Sequence, residues 1–284
     1  MTPKTTNRAA FPRFSSKASP LPELEAADDL TLLMDAAEMA GEIALRYFRA
    51  EHRVWDKADG AGPVTEADLA VDAMLRSKLM GARPDYGWLS EESADTAARL
   101  DRERCFIVDP IDGTRAFTAG EPSWAHSLAI ADAGQIVAGV VAMPAKNAVY
   151  AAAKGRGSTR NGEALRVTAT SGPDDVTIVT AKPNLAPQLW PGGVPRHSRH
   201  YRPSLAYRLA LVAEGRYDAM ITFRDSWEWD IAAGALIVEE AGGRVTDRRG
   251  TPLRFNTPDR LTAGVIAAND ELHGGLMQRV TKDT

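Results

Sequence analysis

The chain has 284 residues, 44% of them hydrophobic and 25% charged, enough for one large globular domain or two small ones. A formal net charge of −4 argues against a general nucleic-acid or membrane-surface binder, which carries a basic excess, so an anionic partner has to be met locally. Cys105 is the sole cysteine, which excludes an intrachain disulfide and a thiolate zinc cluster and fits a reducing cytoplasm.

Residues 1–22 mix Pro, Ser, Thr, Lys and Arg with isolated Phe and show neither a helical nor a strand period, the pattern of a flexible tail. They contain no continuous apolar stretch of the kind a secretory signal needs, and no apolar run of about 18 residues follows. Leu30, Leu33, Met34, Ala37, Ala40, Ala44 and Phe48 then recur at three- and four-residue steps, which predicts a helix from near Leu24 to near Ala50. Thr65-Glu66-Ala67-Asp68 has the shape of a capping box, a hydroxyl at the cap and an acid three residues on, and predicts a second helix continued by Val71, Met74, Leu75 and Leu79.

Gly87-Trp88-Leu89 reads as the end of a strand, and further strands are predicted at 105–108, 126–131, 136–143 and 148–152. The turn Asp132-Ala133-Gly134-Gln135 joins the middle pair as a hairpin. The glycine-rich segment 154–162 lacks the Gly-Lys-Ser/Thr of a P-loop and reads as another hairpin turn. In the second half, 176–180, 219–223 and 265–268 predict strands, and 204–214 and 229–241 helices. This mixed order, without an internal repeat, points to a layered α/β architecture.

Three clusters carry the chemistry. Phe106-Ile107-Val108-Asp109-Pro110-Ile111-Asp112-Gly113-Thr114 is an apolar run that stops on two carboxylates; Asp-Pro and Asp-Gly are also turn signals, so alone it decides nothing. Glu91 and Glu92 follow the strand-like Gly87-Trp88-Leu89, where paired acids otherwise form a solvated face. Asp230, framed by Trp227 and Trp229, opens an Ala-rich helix, where an acid also complements the macrodipole. Together Glu91, Asp109, Asp112 and Asp230 form an all-oxygen set with no His or Cys beside them. That set suits a hard cation such as Mg²⁺, held by few carboxylates plus water and substrate phosphate. A helix beginning at Gly113-Thr114 would turn free backbone N–H groups to the same place. His126 reads as a strand histidine, and no motif supports a serine or cysteine nucleophile.

"WLSEES", "DPIDGTRAF" and "EWDIAAG", in this order, resemble the signature of the inositol monophosphatase superfamily of magnesium-dependent, lithium-sensitive phosphatases. The resemblance runs from about Leu24 to the C-terminus. It implies a layered α-β-α-β-α sandwich and one catalytic domain over 23–284, with a metal-binding half to about 172 and a substrate half from about 173. It implies two or three Mg²⁺ ions held by Glu91, Asp109, the Ile111 carbonyl, Asp112 and Asp230. It also implies that Asp68 and Thr114 activate the attacking water, that Glu91 shares in catalysis, and that Gly113 and Thr114 hold the phosphate. Homodimers are common among such proteins.

Substrate choice is read from the second half. Inositol-specific relatives place a glutamate seven residues before the tryptophan-linked aspartate, and this chain has Phe223 there. "LSEE", Glu228-Trp229-Asp230 and the segment from Ser204-Leu205 to "LVAEG" are more similar to the bisphosphate nucleotidase branch. No acid lies between Asp175 and Glu214, whereas Lys182, Arg196, Arg199, Arg202 and Arg208 are basic, with His197 and His200 among them. Such a run is either a solvated loop or a site for a second phosphate, with Arg196, Arg199, Arg202, Ser204 and Glu228 as candidate contacts. The expected activity is hydrolysis of adenosine 3′,5′-bisphosphate to AMP and phosphate. Inositol 1-phosphate and histidinol phosphate are the alternative substrates, and a non-enzymatic macromolecule-binding role is the alternative from another class.

Overall fold

The computed structural model describes residues 22–56 and 62–280, so the expected tail lies outside the described residues except for Pro22. Helix α1, Pro22–Tyr47, buries Leu33, Ala36, Ala37, Ala40 and Ala44 on one face. It stops before the predicted end because Arg49 turns left-handed, at φ 62°. Two short strands, β1 (Val54–Asp56) and β2 (Pro63–Thr65), form an antiparallel ribbon that no period announced, since β1 is exposed throughout. Helix α2, Glu66–Ala82, opens on the expected capping box: the Thr65 hydroxyl accepts from the Ala67 and Asp68 N–H groups, and the Asp68 carboxylate accepts from the Thr65 N–H. A cap of this kind is worth about 1 kcal/mol.

The first half then builds one sheet from β3 (Gly87–Ser90), β4 (Arg104–Asp112), β5 (Ala125–Asp132), β6 (Gln135–Met143), β7 (Ala148–Ala153), β8 (Ser158–Arg160) and β9 (Glu163–Ala164), in that spatial order. β3 and β4 are parallel and the other neighbours antiparallel, with the β5–β6 hairpin closing at Asp132 and Gln135 as expected. The short helix α3, Thr114–Thr118, follows β4 directly.

The second half contributes β10 (Val176–Thr180), β11 (His197–His200), helix α4 (Leu205–Ala213), β12 (Ala219–Thr222), β13 (Ser226–Trp227), helix α5 (Glu228–Glu240), β14 (Gly243–Thr246), β15 (Leu261–Thr262), β16 (Val265–Asn269) and helix α6 (Asp270–Arg279). Five of these strands form a second sheet in the order β11-β10-β12-β16-β14. The basic segment therefore includes an edge strand, β11, rather than loop alone. Its exposed His-Ser-Arg-His carries no apolar alternation to reveal it.

Three apolar clusters stack these elements into layers. Leu33, Val71, Leu75 and Leu79 from α1 and α2 pack on one face of the first sheet, with Phe106, Val108 and Leu128. Residues of α4 and α5 fill the space between the sheets, and Leu272 and Leu276 of α6 cover the outer face of the second with Ile178, Ile221 and Ile266. The result is the α-β-α-β-α sandwich, in which each fully buried Leu or Ile contributes about 1.5–3 kcal/mol. The central layer is tight: a Cβ at Gly234 of α5 would meet the Leu209 side chain of α4 at 2.7 Å, so only glycine permits this approach.

Candidate metal centre

Strand β4 runs past its predicted end to Asp112, and its register against β5 shifts between Asp109 and Asp112. Pro110 has no N–H to give the ladder, so the chain bulges there instead of turning away. The bulge is tied down locally: the Ile111 N–H donates to Asp109 Oδ1 at 2.9 Å, and the Thr114 hydroxyl donates to the Ile111 carbonyl at 3.1 Å. Gly113, at φ 96°, reverses the chain into α3 in a conformation that a side chain would strain.

The acids converge because three elements end at one place. The Glu91 N–H donates to the Val108 carbonyl at 3.2 Å, which sets Glu91 beside Asp109, and Asp230 enters from the first turn of α5. Glu91, Asp109 and Asp230 each offer a carboxylate oxygen, all within 4.8 Å of one another. Asp112 is held next to them: its Oδ2 accepts from the Ser204 hydroxyl and the Ala206 N–H, each at 2.7 Å.

Asp109 is 1% exposed, and its Oδ2 has no hydrogen-bond partner. Burial, then the charges of Glu91, Asp112 and Asp230, raise its pKa well above the usual carboxylate range. Asp230 is raised in the same way by burial and by Asp112 and Glu91. Asp112 is pushed up to about 6, burial outweighing its two donors. An unpartnered buried oxygen among repelling carboxylates costs several kcal/mol in an apolar setting, and a divalent cation relieves both burdens. These residues fit a hard, oxygen-bound cation.

A pH dependence follows from those shifts. Acids raised in the folded state contribute stability at low pH that is lost as pH climbs from their unfolded to their folded value, for Asp112 from the ordinary carboxylate range up to about 6, and for Asp109 and Asp230 up to their own raised values. Without a divalent cation the melting temperature should therefore be depressed by this cluster at pH 7.5 more than at pH 5.5. Added Mg²⁺ should raise Tm by more at pH 7.5, and differential scanning calorimetry at both pH values checks it. An equal gain at the two pH values would mean that these acids do not bind the ion.

His126 is fully buried, its Nδ1 bonded to the Pro110 carbonyl, and burial pushes its pKa down to about 4. It is neutral at neutral pH and braces the bulge, as the strand-histidine reading required. Asp68 is equally buried, and its Oδ2 is occupied by the Thr65 N–H at 2.9 Å and the Thr65 hydroxyl at 2.5 Å. The capping box and the proposed water contact thus share one carboxylate.

A cavity of about 550 Å³ opens beside the acids. Glu91, Asp112, Gly113 and Thr114 form one wall, and Arg115, Tyr201, Arg208 and Arg224 line it as well. The candidate substrate contacts read from the sequence stand elsewhere. Arg196 precedes β11, pairs with Asp175 at 2.7 Å and lies at the strand end remote from the cavity, because β11 runs parallel to β10 and only the residues after β10 reach it. Arg202 donates to the Tyr201 carbonyl and the Tyr217 hydroxyl. Arg199 is exposed and donates to the Thr180 carbonyl. Ser204 is spent on Asp112 and on capping α4, and Glu228 is buried against residues 256 and 257. Arg224 and Arg115 were missed: Arg224 lies in no motif and only the fold brings it round to the acids, while Arg115 stands inside "DPIDGTRAF" beside Thr114 without a role being read for it.

A profile of the inositol monophosphatase family matches residues 26–283. The chain belongs to this family. Among its curated relatives, an inositol-1-monophosphatase of Rhizobium meliloti is 35% identical over 237 residues, 78% of this chain and 86% of that protein. A histidinol-phosphatase of Chlorobaculum parvum is 35% identical over 260 residues, 89% of this chain and 96% of that one. The crystal structure of the extragenic suppressor protein suhB from Bartonella henselae superposes with a TM-score of 0.77 at 31% identity, covering 90% of this chain and 100% of that one. As a member of the inositol monophosphatase family, the chain is a metal-dependent phosphoric monoester hydrolase.

Proposed function

We propose that the chain uses Mg²⁺ to hydrolyse a small phosphomonoester that carries a second anionic group, with adenosine 3′,5′-bisphosphate as the substrate of that class. The observation that carries this reading is the polarity of the cavity: acids at one end, Arg115, Arg208 and Arg224 lining it too, and no carboxylate besides Glu91 and Asp112 among its described lining residues. A cationic substrate such as histidinol phosphate gains nothing from such a wall. The position of the inositol-binding glutamate holds Phe223, buried and edge-on to Trp190, which offers a sugar hydroxyl no acceptor.

In this reading Glu91, Asp109, the Ile111 carbonyl, Asp112 and Asp230 hold the metal. When bound, Mg²⁺ supplies neutralisation of the phosphoryl oxygens and a lower pKa for the attacking water. The Thr114 hydroxyl and Asp68 orient that water, and Gly113 and Thr114 receive the phosphoryl group at the start of α3. Arg208, seated over the Tyr201 ring with its Nε donating to the Arg202 carbonyl, fixes one side of the second-anion site, while exposed Arg224 is the adaptable contact. The second-phosphate role thus passes from Arg196, Arg199 and Arg202 to Arg208 and Arg224. A cytoplasmic setting and a homodimer accompany the proposal.

The test is a panel of adenosine 3′,5′-bisphosphate, inositol 1-phosphate and histidinol phosphate assayed with Mg²⁺. The bisphosphate should show the highest kcat/KM, and Arg224→Ala should lower that value about tenfold or more, the range of a lost charge-assisted contact, while sparing inositol 1-phosphate. Faster turnover of inositol 1-phosphate, or an equal loss on both substrates, would overturn the second-anion site.

A further inference from the structure

Glu228 has no access to the cavity, yet it is fully buried and every hydrogen bond to its carboxylate serves one turn. Oε2 accepts from the Asn256 N–H at 2.6 Å, and Oε1 accepts from the Thr257 N–H at 2.9 Å and the Thr257 hydroxyl at 2.5 Å. The same turn is gripped from the other side by Arg99, whose side chain is 1% exposed. Its Nη1 donates to Asn256 Oδ1 at 2.6 Å and its Nη2 to the Thr257 carbonyl at 2.8 Å. Arg99 also makes a two-pronged pair with Asp95, at 2.8 and 3.2 Å.

These bonds join two segments that are remote in sequence. Asp95 and Arg99 sit in the stretch that begins at Glu91, after β3. Glu228 is the first residue of α5, two positions before Asp230. The turn at 256 and 257 lies between them, so the end of β3 and the start of α5 are braced against each other behind the metal acids. Burying Arg99 and Glu228, with Asp95 half-covered beside them, carries a desolvation cost that the folded state recovers only through this full set of bonds.

We infer that Glu228 and Arg99, acting through Asn256 and Thr257, are positioning residues that set the spacing between Glu91 and Asp230 and thereby the affinity for the metal. The inference rests on the proposed metal site. Supporting residues of this kind typically alter metal affinity by 10- to 100-fold when changed.

The experiment is isothermal titration calorimetry of Mg²⁺ into the purified full-length chain, with circular dichroism to confirm folding. Glu228→Gln sets an amide N–H₂ against a backbone donor and should weaken Mg²⁺ binding about tenfold. Thr257→Val removes the hydroxyl's bond to Glu228 and its acceptance from the Arg260 N–H but keeps both backbone N–H bonds to Glu228, and should weaken it by a smaller factor, which keeps the test open if Glu228→Gln does not fold. Leu276→Ala, in the core beneath α6, should lower Tm and leave the affinity unchanged. Wild-type affinity in both clamp variants would overturn the inference, as would an equal loss in Leu276→Ala, since the effect would then be general destabilisation. A wild-type chain that binds no Mg²⁺ would remove the metal site itself, a result distinct from wild-type binding with unaltered variants.

Discussion

Asp109→Asn should abolish phosphate release while making the metal-free protein more heat-stable. The neutral amide cannot balance a cation, and loss of metal stabilisation of the phosphoryl transfer should cost several kcal/mol in the barrier, about a thousandfold or more in kcat. Stability moves the other way because Asp109 is a buried carboxylate with one unpartnered oxygen, raised by burial and by Glu91, Asp112 and Asp230. Removing its charge relieves that repulsion. Asp112→Asn should be equally inactive, but its metal-free stability should change little: the Ser204 hydroxyl and the Ala206 N–H meet the same oxygen, Oδ2, and an amide oxygen in that place keeps both bonds. Phosphate-release kinetics at saturating Mg²⁺ and melting curves in chelator read both effects. An Asp109→Asn variant with near-wild-type kcat would remove Asp109 from the site.

Thr114→Ala should lower kcat by about a hundredfold or more with only a modest change in KM. The Thr114 hydroxyl lies on the cavity wall and, in the metal-free chain, donates to the Ile111 carbonyl. If it orients the attacking water, its loss is felt in the transition state rather than in substrate binding. The structural contribution of the same hydroxyl is one hydrogen bond, about 0.5–1.5 kcal/mol, so Tm should fall only slightly. Steady-state kinetics decide it: a pure KM effect would reduce Thr114 to the first residue of a short helix.

The acids were legible because each stands where an apolar strand or a small-residue helix meets a charge it cannot bury alone. Phe106-Ile107-Val108 announced the buried strand that delivers Asp109, and Thr65 with Asp68 announced α2 through a cap whose two bonds are local in sequence. What stayed hidden depends on long-range pairing. Nothing in His197-Ser198-Arg199-His200 tells that it forms an edge strand parallel to β10, yet that register is what carries Arg196 away from the cavity. Arg224 reaches the cavity only because β12 delivers the chain there. Glu228 looked like a substrate contact beside Asp230, but its partners lie 28 and 29 residues downstream. Helix geometry points residues two positions apart in different directions, so Glu228 faces the turn while Asp230 faces the metal acids.

The central claim is that a divalent cation among Glu91, Asp109, Asp112 and Asp230 drives hydrolysis of a phosphomonoester. The most direct measurement is inorganic phosphate released by the purified chain as Mg²⁺ is titrated in and then removed with chelator, run beside Asp109→Asn. The account expects release that rises with Mg²⁺, stops on chelation, returns when the ion is restored, and is absent from the variant at every concentration. Release that continues undiminished in chelator, or that Asp109→Asn retains, would contradict it.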